Sequence, residues 1–169
     1  MRIHLIIIVV VGLLSTDACT AGAGVDPACR YTWSKKVRRD KLDDARHYCQ
    51  TLVEDGHSDW RLPTISELRC LVKNCAVSES KGLCGIEDTC PGERCASAKN
   101  SIAPGPPCKC DCGGNYSVFG DREWLWSSTT FAGAYSATGT WARAINFKCG
   151  AVDGLDTGVL EAYVRCIRR

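Results

Sequence analysis

Thirteen cysteines among 169 residues are the most conspicuous chemistry in this sequence. A cysteine sulfur serves as a nucleophile, a soft-metal ligand or half of a disulfide, and the redox compartment decides which use prevails. The tightest cluster, Cys108-Lys109-Cys110-Asp111-Cys112, has the alternating thiols of a soft-cation site. No Cys-x-x-Cys pair supplies the remaining ligands of a four-coordinate centre, so no metal is expected. Setting Cys19 aside leaves twelve cysteines, an even number that six disulfides would consume. These are Cys29, Cys49, Cys70, Cys75, Cys84, Cys90, Cys95, Cys108, Cys110, Cys112, Cys149 and Cys166, and their spacing alone leaves the connectivity open.

The other reactive side chains form no catalytic constellation. His47 and His57 lack a third ligand at metal spacing and read as surface or packing residues. Ser127-Ser128 has no Gly-x-Ser-x-Gly elbow, and Asp43-Asp44 falls on a solvated helix. Neither a catalytic residue nor a cofactor is expected.

The elements that position these groups follow from periodicity. Thr64 and Glu67 form a capping box after Pro63, so a short helix is expected over 64–72, with Ile65, Leu68, Leu71 and Val72 on one face. It is entered through Trp60-Arg61-Leu62-Pro63 in extended conformation, because Pro63 disfavours helix at Leu62. Leu42, Ala45, Cys49, Leu52 and Val53 recur at helical steps, giving an earlier helix over 41–54 that Gly56 ends, with Cys49 on its buried face. A first strand is expected over 30–37. The run Lys35-Lys36-Val37-Arg38-Arg39-Asp40-Lys41 then reads as a solvated strand-to-helix connection, the sharper alternative being a patch for sulfated or phosphorylated polyanions.

Later segments alternate as strands do. They cover 124–130, 140–148 and 160–167, with a turn or short loop over 150–158. In the second of these, Trp141, Arg143, Ile145 and Phe147 alternate with Ala142, Ala144 and Asn146. Residues 75–114 keep no period and carry seven cysteines, so cross-links must hold them. Two early helices and late strands predict an α+β domain with a small antiparallel sheet and a long disulfide-rich loop insertion.

The N-terminus is of another kind. Arg2 and the apolar run from Leu5 to Leu14 read as a secretory signal peptide over 1–18, too short to span a membrane. Cys19 follows Ala18 directly and is a candidate for lipidation, although Thr16-Asp17 fits such a site poorly. Export without a lipid is favoured, an outer-membrane lipoprotein being the alternative, and a membrane is a partner only through that anchor. A flexible leader over 19–29 precedes a single domain over 30–169. The net charge of +2 requires no nucleic acid.

Several motifs then coincide in order. Ala45, Tyr48, Cys49 and Leu52 are followed by Gly56, by Asp59 through Leu68, by Trp126 through Thr129, and by Tyr163 through Arg168. Together they resemble a bacterial family, the Lcl C-terminal domain family, over nearly the whole mature chain. The resemblance implies a C-type lectin-like fold and a disulfide between Cys49 and Cys166. It also implies a cell-surface or secreted adhesin, because some members bind sulfated polysaccharides. The insertion over 75–114 departs from the family pattern, and the Glu-Pro-Asn, Gln-Pro-Asp and Trp-Asn-Asp triplets of calcium-dependent lectins do not occur. Asp111, Asp121, Glu123 and Asp153 remain as carboxylates for an unrelated site.

On this basis the expected function is non-catalytic recognition of a glycan or other surface polymer. Aromatic faces stack on sugars, and basic groups pair with sulfate or carboxylate. Candidate contacts are Asn115, Tyr116, Asp121, Trp141, Arg143 and Lys148, although core packing is the simpler reading of Trp141. Two alternatives stand beside it. The insertion can act as a rigid surface for a protein partner. Arg-Leu-Pro-Thr-x-x-Glu and Arg165-x-x-Arg168 also resemble the formylglycine-generating oxidase family, whose chemistry needs free reactive thiols.

Overall fold

The computed structural model describes residues 29–92, 95, 108–132 and 139–169. The expected signal peptide, Cys19, the leader through residue 28 and much of the insertion between 93 and 107 lie outside them. Among the described residues no helix is long and apolar enough to cross a membrane.

The chain runs β1 (Thr32–Trp33), β2 (Val37–Asp40), α1 (Leu42–Thr51) and α2 (Ile65–Leu68), the last continuing into a 3-10 turn (Arg69–Leu71). After the insertion come β3 (Trp124–Ala132), β4 (Thr140–Asn146), β5 (Ala151–Asp156), β6 (Ala162–Val164) and β7 (Ile167–Arg168). The architecture is α+β. One sheet has the order β2-β6-β3-β4-β5, and β1 pairs with β7 in a separate ribbon. The expected antiparallel sheet is mixed, because β3 meets β6 in parallel at Leu125 and Tyr163.

Both faces of this sheet are covered, which alternation within one strand cannot reveal. Trp126, Ala142, Ala144, Ala162 and Val164 pack under Leu42, Ala45 and Cys49 of α1. Leu125, Ile145, Phe147 and Val152 pack on the other face against Ile65, Leu68 and the cysteines of the insertion. The small residues of β4 are therefore not a solvent face; they let α1 approach closely.

Among the described residues six disulfides fix this arrangement. Cys49 joins Cys166 across 117 residues, Cys29 joins Cys70, and Cys112 joins Cys149. Inside the insertion Cys75–Cys110 and Cys84–Cys108 are nested, and Cys90–Cys95 closes a short loop. Backbone pairing adds to the cross-links, since Val152 N–H donates to Cys108 O at 2.8 Å and Cys110 N–H to Cys149 O at 2.8 Å. The end of the insertion thus borders β5 and the turn before it.

Several boundaries differ from the sequence expectation. The first strand splits in two because buried Ser34 turns inward, its Oγ accepting from Cys166 N–H at 2.7 Å. Beyond that break, the basic run is not a connection but the edge strand β2. Helix α1 stops at Thr51, and Gly56 does not end it. Asp55 and Gly56, at φ 53° and 77°, instead make a two-residue turn that pairs Glu54 with His57.

The capping box at Thr64 and Glu67 is present, though α2 tightens into a 3-10 turn after Leu68. The stretch expected as a turn over 150–158 contains β5, paired along its length with β4. Asp153 and Gly154 are poor strand formers, and pairing overrides that preference. Finally, the strand expected over 160–167 breaks at Arg165, whose side chain turns into the interior.

Candidate functional site

A cleft of about 340 Å³ opens where β2, β3 and β6 meet the end of β4. Its positive edge comes from three separate segments: Arg39 on β2, Arg122 just before β3, and Lys148 just after β4. Its aromatic walls are Trp124 and Tyr163, and the carboxylates of Glu123 and Glu161 complete it.

Each cation is placed by a local device. In β2, Val37 pairs with Val164, Arg39 with Tyr163 and Asp40 with Ala162, so two residues of β2 oppose one step of β6. This bulge leaves Arg38 unpaired and puts Arg39 beside Tyr163 rather than under α1. Arg39 is steadied by donating to Glu161 O at 3.1 Å. Arg122 reaches Gly113 O at 3.4 Å. Lys148 sits in a turn whose backbone is held twice, by Lys148 N–H to Asn146 Oδ1 at 3.0 Å and by Gly113 N–H to Lys148 O at 2.9 Å. The Cys112–Cys149 disulfide pins the same turn.

The local electrostatics keep the edge positive. Lys36 Nζ lies 2.7 Å from Glu123 Oε2, 3.6 Å from Asp121 Oδ1 and 4.7 Å from the centre of the Tyr163 ring. The hydrogen bond from Lys36 holds the Glu123 carboxyl below the usual carboxylate range. Burial works against the Lys36 charge, but Glu123 and Asp121 outweigh it and raise its pKa. Glu123 is thus already partnered. Among the described residues lining the cleft, Glu161 is the one other acid beside Arg39, Arg122 and Lys148.

The candidate contacts expected from sequence divide sharply. Lys148 lines the cleft, and Asn115 is exposed on the adjoining loop. Tyr116 is half-buried against the core, its hydroxyl donating to Asp111 O at 2.8 Å. Asp121 is not available to a ligand: it is 3% exposed, accepts from Ser117 Oγ at 3.0 Å and pairs with Arg165 at 2.9 Å. Arg143 is likewise an internal anchor. It is 1% exposed, donates from Nε to Pro91 O at 2.6 Å and so ties the insertion to β4. Trp141 sits at the opposite end of β4, about 17 Å from Asn146 at about 3.3 Å per residue. It is half-buried and packs on the Phe131 ring, with ring centres 6.5 Å apart.

Arg122, Trp124 and Tyr163 escaped the sequence reading as a site, and Arg39 entered it only within the basic run. The available signals were the basic run around Arg39 and the outward phase of Tyr163 in its strand. Neither tells that a bulge and a parallel pairing bring them together.

The alternatives meet definite geometry. The three sulfurs of Cys108, Cys110 and Cys112 enter three different disulfides, and no group of three His, Cys, Asp or Glu side chains among the described residues is placed to hold a metal. All twelve described cysteines are paired. Ser127 is buried and donates to Arg143 O at 2.7 Å.

No curated protein and no solved structure matches the chain. The model of the Lcl C-terminal domain family matches residues 22–168, nearly the full length that carries the two helices, the sheet and the cleft. The chain belongs to the Lcl C-terminal domain family.

Proposed function

We propose that this chain is an exported, non-catalytic binding domain that takes an anionic polysaccharide, such as a sulfated glycan, in the cleft between Arg39, Arg122 and Lys148. The observation that carries the reading is that these three cations line one cleft together with Trp124 and Tyr163. Guanidinium and ammonium groups pair with sulfate or carboxylate, and aromatic walls pack on the C–H faces of sugar rings. Export agrees with six disulfides, which persist in oxidising compartments. A C-type lectin-like fold is part of the proposal. It is supported by the pairing of the terminal strands β1 and β7, by the Cys49–Cys166 bond between first helix and chain end, and by the position of the insertion between α2 and β3.

Binding of the purified mature chain to sulfated dextran, at low and physiological salt, tests this reading. Retention that falls with salt and is lost in an Arg39→Ala/Arg122→Ala/Lys148→Ala variant supports it. Retention that is unchanged in that variant refutes it.

A second reading is recognition of a protein through the insertion. It is favoured by Leu83, 61% exposed beside the disulfide-bonded Cys84. A Leu83→Asp variant that loses a pulled-down partner yet keeps dextran binding would support it.

A further inference from the structure

Two of the three cations at the cleft are tied to one residue of the insertion. Gly113 N–H donates to Lys148 O at 2.9 Å, and Gly113 O accepts from Arg122 Nη2 at 3.4 Å. The chain neighbours of these two partners, Cys112 and Cys149, are covalently joined. Arg122 precedes β3 and Lys148 follows β4, so the two cations belong to separate segments of the sheet. The end of the insertion is what connects them.

Residues 110–116 are themselves held at several points. Cys110 N–H donates to Cys149 O at 2.8 Å, and Cys110 is bonded to Cys75. Tyr116 folds back, its hydroxyl donating to Asp111 O at 2.8 Å and its ring occupying the place a Cβ on Gly114 would need. Lys73 N–H donates to Tyr116 O at 2.9 Å and fixes the far side of the turn. Gly113 has φ 105°, beyond the small left-handed region open to other residues, yet a Cβ there would meet nothing within 4 Å. Backbone conformation, not a close neighbour, therefore calls for glycine at 113. In that conformation its N–H meets Lys148 and its carbonyl meets Arg122.

We propose that segment 112–113 is a positioning element of the cleft, holding Arg122 and the Lys148 turn in place for two anionic groups on one ligand chain. The inference rests on the anionic-glycan reading and deepens it, because the end of the insertion then serves the cleft. Groups ordered before binding lose less freedom when the ligand arrives, so the bracket raises affinity without touching the ligand.

Two variants of the mature chain test the bracket. Gly113→Ala strains the backbone and keeps the disulfide, whereas Cys112→Ser/Cys149→Ser removes it. Without ligand, amide hydrogen exchange should quicken at Gly113 and Lys148, while Ala144, paired with Asp153 inside the sheet, keeps its protection and reports an intact fold. Unchanged exchange at Gly113 and Lys148 overturns the bracket. If the cysteine variant loses protection at Ala144, Gly113→Ala decides alone.

Affinity for sulfated dextran should fall about tenfold, the scale of one charge-assisted hydrogen bond, with a shallower salt dependence. That loss should shrink in Arg122→Ala and Lys148→Ala backgrounds, where one partner of Gly113 is already gone. It should be undiminished in Arg39→Ala, because Arg39 is held by Glu161 O and not by the bracket. A merely structural role would weaken all three backgrounds alike, so equal losses overturn the proposal. Failure of the wild-type chain to bind dextran refutes the cleft reading and the positioning role together, whereas binding with equal losses refutes the positioning role alone.

Discussion

Asp121 Oδ1 and Arg165 Nη2 lie 2.9 Å apart, both side chains buried, although 44 residues separate them in the chain. Arg165 also donates to Ser34 O at 2.6 Å, and its guanidinium lies 4.6 Å under the centre of the Phe119 ring. One ion pair thus ties the turn before β3, the break between β1 and β2, and the break between β6 and β7. A buried pair of this kind is costly to split, because the surviving charge is left without a partner.

Asp121→Ala therefore lowers stability by about 3–5 kcal/mol, the scale of a broken buried pair. The double variant Asp121→Leu/Arg165→Met recovers most of that loss, since neither charge remains buried. Urea unfolding of the two single variants and the double variant measures the coupling. Strict additivity of the two losses would contradict the pair.

The Cys49–Cys166 bond spans 117 residues, whereas Cys90–Cys95 spans five. Chain entropy assigns the long closure about 4.7 kcal/mol and the short one about 2 kcal/mol. Replacing both cysteines of each pair by alanine should therefore shift the denaturant midpoint much more for the first pair. Equal shifts would mean that strain or residual structure, rather than loop closure, governs these bonds.

Glu67 links stability to pH. Burial disfavours its charge, but the bidentate pair with Arg61, at 2.6 Å for both contacts, and the bond from Thr64 N–H at 2.9 Å hold its carboxyl below the usual range. A carboxylate with a lowered folded pKa stabilises fully above its unfolded pKa, about 4.3. That contribution is lost as pH falls through the lower folded value. Urea stability measured from pH 7 down into the acid range should fall less steeply in Glu67→Gln than in the wild type. Parallel profiles would remove Glu67 from the acid limb. Thr64→Ala, which deletes the other half of the cap, should cost about 1 kcal/mol at neutral pH.

The three cations of the cleft are separable by salt. Each of Arg39→Ala, Arg122→Ala and Lys148→Ala should weaken sulfated-dextran binding and make it less salt-dependent, whereas Lys109→Ala, on the exposed insertion, should do neither. Frontal chromatography on the sulfated matrix at several salt concentrations measures the slope directly. A slope that changes as much for Lys109 as for Lys148 would indicate a diffuse field rather than a site.

Much of this was legible before any coordinates. The capping box at Thr64 and Glu67, the buried stripe of α1 and the alternation of β3 and β4 depend on neighbours within a few residues, and local sequence carries such signals. The even number of cysteines likewise announces a cross-linked domain. Bulges, register and two-sided burial involve partners far apart in the chain, so local periodicity is blind to them. That is why a turn is expected where β5 lies, and why the packing of α1 on Ala142 and Ala144 is not legible from their alternation.

By itself, then, the sequence determined the family, the two helices, most of the strands and a disulfide-dense insertion, because each rests on short-range spacing or a cysteine count. Only the tertiary structure decided that Asp121 and Arg143 are internal anchors, that Lys148 joins Arg39 and Arg122 across the cleft, and that Trp141 packs on Phe131. Those roles follow from which charges are buried with a partner and which are left facing water, and burial is a property of the packed chain.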